Sequence, residues 1–148
     1  MAEPKKFRVL FVCIGNACRS PMAEAVALRY GADIMEPSSA GLYPLGHVAA
    51  LTIETLTRNG YSTADLSSKP VRRDALTAAD VVINISGEDG DGLFEELGAT
   101  PKSIEDWTVA DPYGADATTY QRILEQLEQR VRELAVRLRR ERKREQAP

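Results

Sequence analysis

Apolar residues along this chain fall into short unbroken runs separated by stretches with helical spacing. Phe7–Cys13 is such a run and reads as a strand buried on both faces. A helix is predicted from Pro21 to about Tyr30, where Gly31 stops it. Ile34–Ser39 gives a second strand and Gly41–Gly46 a loop. His47–Asn59 then carries Val48, Leu51 and Leu56 at helical spacing before a Gly60 stop. A short helix near Asp74–Ala79 leads into the strand Val81–Ile85. Gly87–Gly92 reads as a loop, Leu93–Leu97 as one helical turn, and Ser103–Thr108 as a fourth strand. From Ala117 to Arg144 one apolar stripe, Tyr120, Ile123, Leu127, Val131, Leu134 and Leu138, predicts a single helix about 40 Å long.

The alternation predicts an α/β fold. We expect a single-domain doubly wound sheet of about four parallel strands, with helices on both faces and a long C-terminal helix. Residues 1–148 form one unit, with a flexible N-terminus over 1–6. The apolar stripe stops at Leu138, so residues 139–148 read as a solvated basic tail. In sheets of this kind, sites lie at the carboxyl ends of strands, where Cys13 falls.

Length and charge narrow the class without naming an activity. The chain has 148 residues and a net charge of −3, which gives no electrostatic case for nucleic acid. It shows no membrane-length apolar run and no export signal, and it has two cysteines. The expectation is a cytoplasmic protein, a monomer or weak dimer, in a reducing compartment. Two cysteines and one histidine make no metal-binding cluster.

Chemistry concentrates in Cys13-Ile14-Gly15-Asn16-Ala17-Cys18-Arg19-Ser20. A cysteine followed six residues later by arginine, at a strand-to-helix turn, makes a bowl for a tetrahedral oxyanion. The peptide N–H groups of Ile14, Gly15, Asn16, Ala17, Cys18 and Arg19 point inward, and the helix adds its positive end. Cys13 lies at the bottom, where dipoles and a guanidinium favour its thiolate. Arg19 supplies a planar fork matched to two phosphate oxygens, which lysine cannot reproduce. Ser20 is placed to donate to the Cys13 sulfur and to cap the helix. Gly15 and Asn16 tolerate the positive φ that an inward amide ring demands, and the Asn16 side chain pins the loop from outside. A proton donor for the leaving group is available in Asp111-Pro112-Tyr113-Gly114, a turn that presents Asp111 as acid and then base. Tyr113 offers an aromatic wall. His47 reads as solvent-facing, although a Cys–His dyad stays open. Glu88, Asp89 and Asp91 read as a solvated loop.

These residues resemble the low-molecular-weight protein tyrosine phosphatases. The resemblance is carried by Val12 to Glu24 and by Asp111-Pro112-Tyr113, with weaker matches at Ser39-Ala40-Gly41 and Ala79-Asp80-Val81-Val82. It implies a phosphomonoesterase, a protein tyrosine phosphatase, working through a cysteinyl-phosphate on Cys13. Arg19 is then the phosphate clamp and Asp111 the general acid/base, supported by Ser20 and Asn16. No cofactor is implied, and the substrate is a phosphorylated protein or a small aryl phosphate. The family commonly pairs Cys13 with a cysteine at the position of Cys18, which implies a protective disulfide. Four departures stand out. Leu66 replaces a histidine, Gly114 a second tyrosine, and Ala17 a larger residue, while Asn84-Ile85-Ser86-Gly87 lacks the family's Met-Asp ending.

Two alternatives remain. An arsenate reductase on the same fold would use the same bowl, but with two cysteines it needs an external thiol. A phosphate-binding relative without turnover would keep the bowl and lose the chemistry.

Overall fold

The computed structural model describes residues 5–147, apart from the side chains of Asp91 and Leu93. The expectations for residues 1–4, for the Asp91 side chain and for residue 148 therefore lie outside the described residues. The elements run β1 (Phe7–Cys13), α1 (Arg19–Tyr30), β2 (Met35–Gly41), α2 (Ala50–Arg58), α3 (Arg73–Ala78), β3 (Val81–Asn84), α4 (Gly90–Glu96), β4 (Ile104–Asp106) and α5 (Ala117–Gln146).

The four strands form a parallel sheet in the order β2-β1-β3-β4, as the alternation predicts. The chain leaves β1 for one side and returns to place β3 on the other, so the carboxyl ends of β1 and β3 flank a topological switch point. Register fixes what stands there: Cys13 is level with Gly41, Val12 with Asn84, and Asn84 with Asp106.

Alternation along β1 feeds two cores. Val9, Phe11 and Cys13 face a large cluster with Met22, Val26, Leu124, Leu127 and Val131, while Leu10 and Val12 face Leu76, Val82 and Phe94. Helices α1, α2 and α5 therefore cover one face of the sheet, and α3 and α4 the other.

Several boundaries differ from expectation, each for a tertiary reason. Helix α1 begins at Arg19, because Pro21 in the first turn owes no N–H to the helix. Strand β2 extends to Gly41, which bridges to Pro70. Helix α2 starts only at Ala50, the preceding Ala49 N–H being held by the Ala17 carbonyl at 3.1 Å. Helix α4 occupies part of the segment expected as loop. There buried Gly90 packs so closely that a Cβ would come within 3.0 Å of the Asn84 amide nitrogen.

The largest difference concerns the C-terminus. Asp116 caps α5 by accepting from the Thr119 N–H at 2.9 Å, and the helix buries Tyr120, Ile123, Leu124, Leu127, Val131, Leu134, Ala135 and Leu138. It does not leave the body after Leu138. Arg139 grips both carboxylate oxygens of Asp33 at 2.9 Å and the Tyr30 carbonyl at 2.7 Å. Arg142 donates to the Asp33 carbonyl at 3.0 Å. Two arginines expected in a solvated tail are thus docked on the α1–β2 turn.

Candidate active site

The loop from Cys13 to Arg19 is shaped by hydrogen bonds to its carbonyls. The Cys13, Ile14 and Gly15 carbonyls accept from the N–H groups of Leu42, Tyr43 and Leu45 at 2.8–3.0 Å. The Ala17 carbonyl accepts from Ala49 and from the Thr52 hydroxyl. Among the described residues, the N–H groups of Ile14 through Cys18 donate to no protein acceptor. The loop thus turns its acceptors outward and leaves a set of donors beside the positive end of α1, an arrangement chemically suited to an anion.

Asn16 takes the one positive φ among non-glycine described residues, 48°, whereas Gly15 does not adopt positive φ. A glycine is demanded instead at Gly41, where a Cβ would lie 2.8 Å from the Asn16 nitrogen and the Ile14 oxygen. Asn16 is fully buried and does not line the pocket. Its amide nitrogen donates to the Ser20 hydroxyl at 2.7 Å and its oxygen accepts the Lys69 N–H at 2.9 Å.

With Asn16 as donor, the single Ser20 hydroxyl hydrogen is left for the Cys13 sulfur, 2.9 Å away, or the Ala40 carbonyl at 3.4 Å, and it points at the sulfur when Cys13 is a thiolate with no hydrogen of its own to give. Ser20 therefore does not cap α1, whose N-cap is Cys18 with no side-chain bond. The Leu66 position sits against the large core, and the loop is buttressed otherwise: Ser68 donates to the Gly15 carbonyl at 2.9 Å.

Arg19 is 5% exposed, and its NH1 donates to the Ile85 carbonyl at 2.7 Å and the Val109 carbonyl at 3.0 Å. NH2 faces an Asp111 carboxylate oxygen at 3.6 Å. Asp111 accepts the Tyr113 N–H at 3.1 Å, so the Pro-Tyr turn holds its half-exposed carboxylate over the bowl. Cys13, Ile14, Gly15, Ala17, Cys18, Arg19, Asp111 and Tyr113 all line one pocket of about 200 Å³. Tyr43 and Leu45 complete the wall. They escaped the sequence reading, whose only hint was an apolar Leu-Tyr-Pro-Leu insert between glycines.

Both cysteines are free thiols. Burial pushes the Cys18 thiol up from its usual range, against the lowering effect of the Tyr120 hydroxyl at 3.4 Å. His47 is exposed and does not line the pocket, so the pocket contains no Cys–His dyad. Glu88 and Asp89 are exposed. Among the described residues no group of three or more His, Cys, Asp or Glu side chains could hold a metal ion, and no helix is long and apolar enough to cross a membrane.

A sequence model of the low molecular weight phosphotyrosine protein phosphatases matches residues 8–144. The chain belongs to that family. It is an enzyme of the family's phosphatase kind, built on the family's α/β fold. Among relatives, Arsenate reductase 1 of Bacillus cereus is 31% identical over 135 residues, covering 90% of this chain and 96% of the relative. The protein-arginine-phosphatase of Bacillus subtilis is 28% identical over 150 residues, covering 91% and 99%. Among solved structures, the YwlE arginine phosphatase of Geobacillus stearothermophilus superposes with a TM-score of 0.85 at 27% identity, covering 96% and 99%.

Proposed function

We propose that this phosphatase hydrolyses aryl phosphate monoesters, phosphotyrosine in proteins foremost, through a cysteinyl-phosphate on Cys13. The observation that carries the reading is the convergence of Cys13, Arg19 and Asp111 on one pocket, with the Ser20 hydroxyl 2.9 Å from the sulfur. The Cys13 thiolate attacks phosphorus and the bond to the ester oxygen breaks. That oxygen takes its proton from Asp111. Water then attacks the cysteinyl-phosphate, Asp111 takes the water's proton, and the P–S bond breaks to release phosphate. Ser20 donates to the sulfur as it departs, while Arg19 and the free N–H groups hold the equatorial oxygens.

The walls support a flat leaving group. Tyr43 and Tyr113, 73% and 58% exposed, stand with Leu45 at the mouth, and among the described residues the only carboxylate lining the pocket is Asp111. A phosphorylated guanidinium would have that single acid to meet its charge. Hydrolysis of p-nitrophenyl phosphate at mildly acidic pH, wild type beside Cys13→Ser, tests the chemistry; activity that survives in the variant sinks it. A phosphotyrosine peptide compared with a phosphoarginine peptide tests the substrate class.

A second reading is arsenate reduction, favoured by relatives that carry that name. With only Cys13 and Cys18 in the chain, electrons for it come from an external thiol.

A further inference from the structure

The segment that departs from the family ending, Asn84-Ile85-Ser86-Gly87, contains a buried polar side chain that the proposed reaction does not use. Asn84 is 2% exposed at the carboxyl end of β3, and every hydrogen-bonding capacity of its amide is occupied. Its nitrogen donates to the Glu88 carbonyl and to an Asp106 carboxylate oxygen, both at 2.9 Å. Its oxygen accepts the Ser86 hydroxyl at 2.6 Å and the Ser86 N–H at 3.2 Å. The partners fix the amide's orientation, because a flipped amide would set its oxygen against a carboxylate and a carbonyl. Gly90 closes over it.

The position of this amide links two strands. On one side it folds the turn that follows β3, whose first residue is Ile85. On the other it holds Asp106, the last residue of β4, from which the chain runs to Val109. The Ile85 and Val109 carbonyls are the two acceptors that converge on NH1 of Arg19. A second link, from the Trp107 N–H to the Asn84 carbonyl at 2.9 Å, joins the same two segments through backbone.

The geometry points to Asn84, braced by Ser86, as the positioning residue for Arg19: it sets the spacing of the two carbonyls that hold NH1 and so aims the rest of the guanidinium into the bowl. The inference rests on the reading of Arg19 as the phosphate clamp. Asn84 does not line the pocket. Its effect reaches the anion through two main-chain carbonyls, so losing it weakens binding of the anion itself rather than proton transfer.

The test is inhibition by inorganic phosphate, with KM and kcat for p-nitrophenyl phosphate, across a small set of variants. Asn84→Asp puts a carboxylate against Asp106 and removes both donors. The phosphate inhibition constant and KM are expected to rise about tenfold, the size of one lost hydrogen bond to a charged group. Asp106→Asn keeps an acceptor and stays near wild type. The double variant N84D/D106N restores a donor–acceptor pair in reverse and returns the inhibition constant to within about threefold of wild type. Val82→Ala, a core truncation in the same strand, lowers Tm without moving the phosphate constant, which separates positioning from general destabilisation. Folded N84D with wild-type phosphate binding, or a double variant no better than N84D, overturns the proposal. If N84D does not fold, Ser86→Ala decides: weaker phosphate binding at near-native Tm supports the brace, and unchanged binding overturns it. Arg19→Lys separates the levels. If it binds phosphate as wild type does, the underlying reading of the site falls. If it binds weakly while N84D does not, only the brace falls.

Discussion

At the scale of single residues, the site depends on which atom holds which hydrogen. Ser20 has one proton, and with the Asn16 amide donating to its oxygen that proton is available to a Cys13 thiolate 2.9 Å away. Ser20→Ala therefore removes the side-chain hydroxyl that, among the described residues, meets the Cys13 sulfur. We expect kcat to fall about 10- to 100-fold, as for a hydrogen bond to a charged acceptor, with phosphate inhibition nearly unchanged. Steady-state kinetics and the phosphate constant measured together check this. In the proposed reaction Asp111 acts only where a leaving oxygen needs a proton. Asp111→Ala should slow a poor leaving group such as phenyl phosphate about 10²- to 10⁴-fold and a nitrophenolate much less. Equal losses on both would remove its role as acid. Cys13, Arg19 and Ser20 stood out in the sequence as candidates because the proposed chemistry demands particular side chains at fixed offsets in a short loop, and Asp111 because Asp-Pro-Tyr reads as a turn that presents its carboxyl. What was hidden is contributed by the main chain or by distant segments. The Ile85 and Val109 carbonyls that hold Arg19, and the Lys69 N–H that holds Asn16, carry no side-chain signature.

At the scale of elements, β1 and its turn into α1 place Cys13, the proposed nucleophile, and β2 makes room for the loop. Gly41 stands level with Cys13, and any Cβ there would press on loop backbone rather than on a movable side chain. Gly41→Ala is expected to weaken phosphate binding at least tenfold, at a stability cost of about 1–3 kcal/mol from overpacking. Titration with phosphate and a thermal melt separate the two effects. Strand and helix order followed from hydrophobic period. The boundaries that moved did so through contacts period cannot express, such as Gly90 against the Asn84 amide.

The end of α5 gives the clearest case. Its apolar stripe stops at Leu138, yet polar contacts carry the helix on, with Arg139 and Arg142 gripping the α1–β2 turn. The Arg139 guanidinium, hydrogen-bonded to Asp33, holds that carboxyl below the usual carboxylate range. A carboxyl lowered in the fold stabilises it above the ordinary carboxylate pKa, and that gain is lost as pH falls through the lowered value. The pair is exposed, so it contributes at most about 1 kcal/mol. Arg139→Ala should lower Tm by about 2–4 °C at pH 7 and by progressively less as the pH drops below 4. An equal Tm loss at pH 7 and at pH 2 would show that the arginine acts through packing and not through its charge.

At the scale of the whole molecule, a parallel sheet with a switch point between β1 and β3 puts the end of β1 in the bowl, the end of β2 against its loop, and the segments after β3 and β4 on Arg19. Family membership follows from a match over residues 8–144, and fold from a TM-score of 0.85 to a family structure. Phosphotyrosine, phosphoarginine and arsenate share a tetrahedral oxyanion, and the covalent step separates phosphatase chemistry from arsenate reduction. The most direct measurement is an acid quench of the enzyme during turnover of a phosphotyrosine peptide, followed by mass spectrometry of the peptide bearing residue 13. The account predicts a phosphate adduct on Cys13 that is absent in Cys13→Ala and accumulates when Asp111 is replaced and a good leaving group is used. Turnover with no adduct at Cys13, or arsenate-dependent thiol oxidation in a protein that hydrolyses no phosphate ester, would contradict it.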